Sequence, residues 1–237
     1  MIRSRSCRGC KRIVYEPGDF ELSLLPDDWR DSSLCAACQI DGPPSDPEKV
    51  DLHRAAVCDR LLRSSLPKQY WECSLGDLED LPQNARDALR EWSVADSDAL
   101  FLCGPAGVGK TFMAASAARV RIEHSFVNWQ SMAHVAMNAR SDFDSPEFAK
   151  SKDLLDRPNA LVLDDLGQEN PSASTRELLF GLIESRLSHH PLLITSNLLP
   201  SQLGARYGAW LPSRIQQMTA IKLDGADRRM RAKPDGS

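Results

Sequence analysis

The chain has 237 residues, 42% of them hydrophobic and 26% charged, with a formal net charge of −4. That length suits one large domain, or a medium domain with a small appendage, and it buries a sizeable core without help. No stretch approaches 18 consecutive apolar residues, which excludes a helical membrane span, and the slight acidity excludes a global basic field for nucleic acid.

The first residues are basic with no apolar run behind them, so no secretory leader is expected, and a reducing, cytoplasmic setting is. Of the seven cysteines, Cys7/Cys10 and Cys35/Cys38 form two C-x2-C pairs, while Cys58, Cys73 and Cys103 are scattered. Four thiolates at tetrahedral geometry suit a structural Zn²⁺, and a module of about forty residues needs such a staple to fold. Residues 1–40 are therefore expected to form a small zinc-binding module of ribbon or knuckle type. Arg3, Arg5, Arg8, Lys11 and Arg12 give it a basic patch, which suits nucleic acid but equally a solvated surface. Residues 41–65 open with Asp41-Gly42-Pro43-Pro44-Ser45-Asp46-Pro47, a stiff linker, and continue as a loosely amphipathic helix over 48–65.

From about residue 66 the pattern changes, and a second, larger domain runs to 237. Ala99–Cys103 is a short apolar strand stopped by Gly104-Pro105, and an alanine-rich helix runs from Lys110 to about Ile122. Ser125–Trp129 reads as a second strand, and Ser131 caps a helix towards Arg140, with another helix expected over 145–156. Asn159–Asp164 reads as a third strand, 172–188 as a helix, Pro191–Thr195 as a fourth strand and Ala220–Leu223 as a weaker fifth. Continuous apolar strands alternating with helices predict an α/β fold whose parallel sheet is covered on both faces.

Gly104-Pro105-Ala106-Gly107-Val108-Gly109-Lys110-Thr111 fits G-x-x-x-x-G-K-[ST], between an apolar strand and a helix. Glycines let the backbone curl so that several N–H groups face one phosphate cluster, and the helix N-terminus adds its own. Lys110 is placed to neutralise β/γ oxygens, and Thr111 offers a hydroxyl to Mg²⁺. Leu161-Val162-Leu163-Asp164-Asp165-Leu166-Gly167 ends an apolar strand on two acids at the sheet's carboxyl edge. Asp164 suits a Mg²⁺ ligand, and Asp165 suits the group that polarises a water towards the γ-phosphate. The fourth strand ends in Thr195-Ser196-Asn197, where a polar group could orient that water, although a capping turn before Pro200 reads as well.

The phosphate loop, the LVLDDLG run and the TSN terminus together resemble the AAA+ ATPases, and more closely the DnaC/IstB group of helicase loaders and transposition helper ATPases. Leu66-Pro67-Lys68-Gln69-Tyr70 is similar to that group's entry segment. Leu203–Gly208 followed by Ser213-Arg214-Ile215 resembles its arginine-finger box, and Gly225-Ala226-Asp227-Arg228-Arg229 its terminal G-x-D-x-R. The resemblance implies an AAA+ P-loop NTPase with no separate helical lid, binding ATP and Mg²⁺ and hydrolysing ATP slowly, since Asp165 stands where many such ATPases use glutamate. It implies that Asn197 is the water-orienting sensor and that Arg214 reaches a neighbouring subunit's γ-phosphate in an ATP-dependent homo-oligomer. It also implies a second nucleotide sensor at Arg229, with Arg228 an equal candidate. The 131–156 region corresponds to an insertion used in the group for assembly and single-stranded DNA, with Arg140, Lys150 and Lys152 the local cations. Two functions follow from the resemblance: loading a replicative helicase onto single-stranded DNA, or serving a transposase. A third possibility is a nucleotide-gated DNA-binding adaptor that hydrolyses little.

Overall fold

The computed structural model describes residues 4–6, 13–15, 58–95, 97–122, 127–138, 159–225 and 227. At the N-terminus, β1 (Ser4–Ser6) pairs antiparallel with β2 (Ile13–Tyr15). The four paired cysteines, the 145–156 helix, Arg140, Lys150, Lys152, Arg228 and Arg229 lie outside the described residues.

A helix over 58–65, α1, leads into the main domain, and its Leu61 and Leu62 pack against the domain core. Two short 3₁₀ turns follow, Lys68–Tyr70 and Leu75–Leu78, the second started by a capping box between Ser74 and Asp77. Helix α2 (Gln83–Val94) follows Pro82 and has no counterpart among the elements expected above. Its Ala85, Leu89 and Trp92 recur at helical spacing and are buried. The Arg121 guanidinium, at the end of α3 (Lys110–Ile122), lies 4.8 Å over the Trp92 ring and donates to the carbonyls of Trp92 and Ala95. Carbonyls that the end of α2 would leave orphaned thus fasten it to α3.

The sheet has five strands in the order β4-β5-β6-β3-β7, with every pair parallel. They are β3 (Ala99–Cys103), β4 (Val127–Ser131), β5 (Ala160–Leu166), β6 (Leu192–Ser196) and β7 (Thr219–Lys222). The second strand is described over Val127–Ser131, with Ser125 and Phe126 of its expected span outside the described residues, and the third extends through both acids to Leu166. Side chains alternate across the sheet. Phe101, Cys103, Leu161, Leu163, Leu192 and Ile194 pack on one face with α4 (Met132–Asn138), α5 (Ala173–Arg186), α6 (Pro200–Tyr207) and α7 (Trp210–Ile215). Leu100, Leu102, Val162 and Leu193 face α2 and α3 on the other. Ser172 caps α5, its hydroxyl accepting from Thr175 N–H at 3.1 Å.

Strand β6 runs between the strand that feeds the phosphate loop and the strand that carries the two acids. The carboxyl ends of β3, β5 and β6 therefore converge at one edge of the sheet, where α/β folds bind ligands.

Candidate nucleotide-binding site

The loop after β3 turns through residues that only glycine accommodates easily. Gly104 has φ +149°, and a Cβ there would lie 2.2 Å from the carbonyl oxygen of Leu223. Leu223 continues the β7 pairing, its N–H donating to Cys103 O at 2.7 Å. The start of the loop is thus wedged against backbone on its outer side. Lys110, 4% exposed, sends its ammonium back across the loop to the carbonyls of Gly104 at 2.8 Å and Pro105 at 2.7 Å.

The acid-bearing end of β5 is built around Thr195. Its hydroxyl donates to Asp164 Oδ1 at 2.6 Å and accepts from Asp165 N–H at 2.9 Å. Thr111, at the start of α3, donates to the same Asp164 oxygen at 3.1 Å. A hydroxyl and a carboxylate are the hard oxygen donors that Mg²⁺ takes, and these two meet beside the phosphate loop. Asp164 is 8% exposed. Burial pushes its carboxyl above the usual aspartate range. The Thr195 hydrogen bond opposes that shift, Asp165 adds to it, and Thr111 and Lys110 oppose it further. A cation held there would relieve the cost of the buried carboxylate.

Asp165 adopts φ +62°, and the ladder between β5 and β6 shifts register between Leu163 and Leu166. Aspartate tolerates this left-handed conformation better than most residues. The bulge breaks the alternation at the two acids, so they do not simply point to opposite faces of the sheet.

Beyond the bulge, Ser196 Oγ donates to Leu166 O at 2.6 Å and accepts from Leu198 N–H at 3.0 Å. Asn197 is half-buried and stands just past the end of β6. The side chain that joins the two acids from this strand is Thr195, two residues earlier.

Two further residues support the acidic turn. Arg206 on α6 donates to Gly167 O at 2.7 Å and Glu169 O at 2.8 Å. Glu169, 8% exposed, accepts from Gly167 N–H at 3.2 Å, and burial pushes its carboxyl up. No short-range motif signals the Arg206 contacts. Arg214, on α7, pairs with Glu184 of α5, and both side chains are about one-third exposed.

The family described as IstB-like ATP binding protein matches residues 60–220. The putative ATP-binding protein of insertion sequence IS5376 from Geobacillus stearothermophilus is 28% identical over 142 residues, covering 56% of each chain. The replicative helicase loader DnaI of Bacillus subtilis is 26% identical over 164 residues, 62% of this chain and 53% of that one. The chain thus spans about half the length of these curated relatives. A crystal structure of DnaI superposes with a TM-score of 0.57 at 21% identity, over 67% of this chain and 95% of that one. That likeness concerns the fold, which is the α/β AAA+ P-loop architecture. Family match, phosphate loop and sheet order agree, and the chain belongs to the IstB-like ATP-binding protein family.

Proposed function

We propose that the chain is a slow ATPase that works as a switch, delivering a replicative helicase to single-stranded DNA. The observation that carries the nucleotide chemistry is the hydrogen-bonded chain Thr111–Asp164–Thr195–Asp165 beside Lys110. In this reading Gly104–Thr111 hold the phosphates, Thr111 and Asp164 hold Mg²⁺, and Asp165 takes up the water proton with Asn197 or Thr195 fixing its position. Arg214 completes the site of the next subunit in a homo-oligomer, and Arg229 or Arg228 senses the nucleotide. Residues 1–40 dock the partner as a zinc module on Cys7, Cys10, Cys35 and Cys38, with 41–65 as its tether. Supporting the zinc reading, β1 and β2 pair antiparallel and flank Cys7 and Cys10 in sequence.

The match to an insertion-sequence protein favours a second reading, an ATPase that assists a transposase on target DNA. One experiment separates the two: the full chain with ATP and single-stranded DNA, offered purified replicative helicase or purified transposase from the same cell. Co-elution with helicase and DNA-stimulated ATP turnover support loading. Co-elution with transposase alone supports the alternative. No turnover with either partner refutes the hydrolytic switch and leaves the adaptor reading.

A further inference from the structure

The acidic turn after β5 leans on α6 with its backbone. Gly167 has φ +94°, and a Cβ there would lie 2.8 Å from Leu198 Cδ1 and 3.0 Å from Leu203 Cδ2. Leu203, on α6, is completely buried. Polar contacts close the same seam. One N–H of the Arg206 guanidinium donates to Gly167 O at 2.7 Å and another to Glu169 O at 2.8 Å. A planar fork that spans two carbonyls fixes direction as well as distance, which a lysine ammonium does not. On the β6 side, Ser196 Oγ bridges Leu166 O and Leu198 N–H. The turn that begins at Asp165 is thus held both by α6 and by the strand end that leads into it.

Helix α6 is in turn joined closely to α7. A Cβ on Gly204 would lie 2.8 Å from Pro212 Cγ, so the two helices approach there with no side chain as a spacer. Gly208, at φ +107°, ends α6 with its N–H on Gly204 O at 2.9 Å. Trp210 Nε1 donates across the joint to Tyr207 O at 2.9 Å. Leu211 and Ile215, both buried, fix the helix that carries Arg214.

We propose that Arg206 is a positioning residue that locks a chain's acidic turn to the helix pair carrying Arg214, so that Asp165 at one subunit junction and Arg214 at the next are set together. The inference rests on the reading of Arg214 as acting in trans. Two reacting sites share each chain in that reading, and a misplacement of about 1 Å at either costs on the order of a hundredfold in rate.

The test is turnover of Mg²⁺–ATP by mixtures of two full chains, Arg214→Ala and Lys110→Ala. Productive junctions pair the phosphate loop and acids of the first with the arginine of the second. Arg206→Met, which keeps an apolar stem and removes the donors, is placed in one chain at a time. In the Arg214→Ala chain it should lower kcat at least about tenfold, with KM for ATP within about twofold, because the phosphate loop is untouched. In the Lys110→Ala chain, whose own acids do no work, it should lower kcat by a similar factor. Full turnover in either mixture overturns the proposal: Arg206 then serves one of the two sites, or neither. Fewer junctions rather than slower ones, read by sedimentation, also overturn it. If circular dichroism shows that Arg206→Met does not fold, Arg206→Lys takes its place; it keeps the charge but does not span both carbonyls, and should give the same two losses. A parent mixture that stays inactive where wild type turns over means that the trans reading itself has failed, and the inference falls with it. Arg206 is intact in both parent chains, so that failure is distinct from the others.

Discussion

Thr195 is the side chain on which the two acids depend, and replacing it with valine isolates its hydroxyl. The two side chains have nearly the same shape, and Thr195 is completely buried, so the change opens no cavity. It removes the donor that reaches Asp164 Oδ1 at 2.6 Å and the acceptor that Asp165 N–H uses at 2.9 Å. A hydrogen bond to a charged group contributes about 1.5–3 kcal/mol, and an orphaned buried N–H costs about 1–3 kcal/mol. The buried strand end leaves little room for either group to find water, so a loss of about 3 kcal/mol is expected. For a domain of this size that lowers Tm by roughly 6–12 °C. Thermal unfolding of the nucleotide-free chain reads it directly. Turnover should fall as well, by at least about tenfold, because Asp164 and Asp165 lose their common anchor. A Tm within about 2 °C of wild type would refute the reasoning, because the acids would then be held by the bulge alone.

Two smaller changes probe the same edge of the sheet, and a third on α5 serves as the steric control. Burial raises the folded Asp164 carboxyl above its ordinary 3.8, so the folded state keeps a proton that the unfolded state gives up, and stability falls as pH rises through that window. Asp164→Asn keeps an oxygen to accept from Thr195 and Thr111. It should flatten that part of the pH–stability profile and leave the nucleotide-free chain at least as stable at neutral pH, while Mg²⁺–ATP no longer stabilises it; a profile as steep as wild type counts against the assignment. Gly104→Ala drives a Cβ into the Leu223 carbonyl and should cost about 2–4 kcal/mol in urea denaturation. Gly181→Ala, inside α5 with nothing within 4 Å, should instead stabilise by about 0.5–1 kcal/mol, and equal effects at the two glycines would remove the steric argument.

The site was readable where its signal is local. Gly104–Thr111 carries its chemistry in eight consecutive residues, and the buried parallel strands β3, β5 and β6 show as continuous apolar runs. Asp164 and Asp165 could be placed at a strand end for the same reason. The φ +62° at Asp165 and the register shift beside it could not, because they depend on how β5 meets β6. The resemblance implied Asn197 as the residue that orients water; the hydrogen bonds from Thr195 to both acids are a separate feature that the residues Thr195-Ser196-Asn197 do not announce. Arg206 and Asp227 reach the phosphate and acidic loops from later in the chain through contacts that no spacing rule encodes. Helix α2 was different, since Ala85, Leu89 and Trp92 carried a helical pattern that lay in plain view.

Arg214 raises the question of what this chain can do alone. It lies on α7, packed with α5 on the face of the sheet opposite α3, the helix that starts at the phosphate loop. Its guanidinium is engaged by Glu184 within the same chain. If Arg214 serves a neighbouring subunit, that pair must open on assembly. A partly exposed ion pair resists by no more than about 1 kcal/mol, a factor of about five, so it tunes the exchange without blocking it. Glu184→Gln should therefore favour ATP-dependent oligomers by up to about fivefold, measured by analytical ultracentrifugation. Arg214→Ala should keep nucleotide binding but lose turnover, on the order of a thousandfold where such an arginine acts in trans. Mixing the Arg214→Ala and Lys110→Ala chains gives the sharper outcome. Each is inactive alone, yet at a mixed junction one contributes an intact phosphate loop and the other an intact arginine. Turnover should return in proportion to such junctions. A mixture that stays inactive, under conditions where wild type turns over, means that the Glu184 pair is simply structural and that Arg214 belongs to the α5–α7 seam.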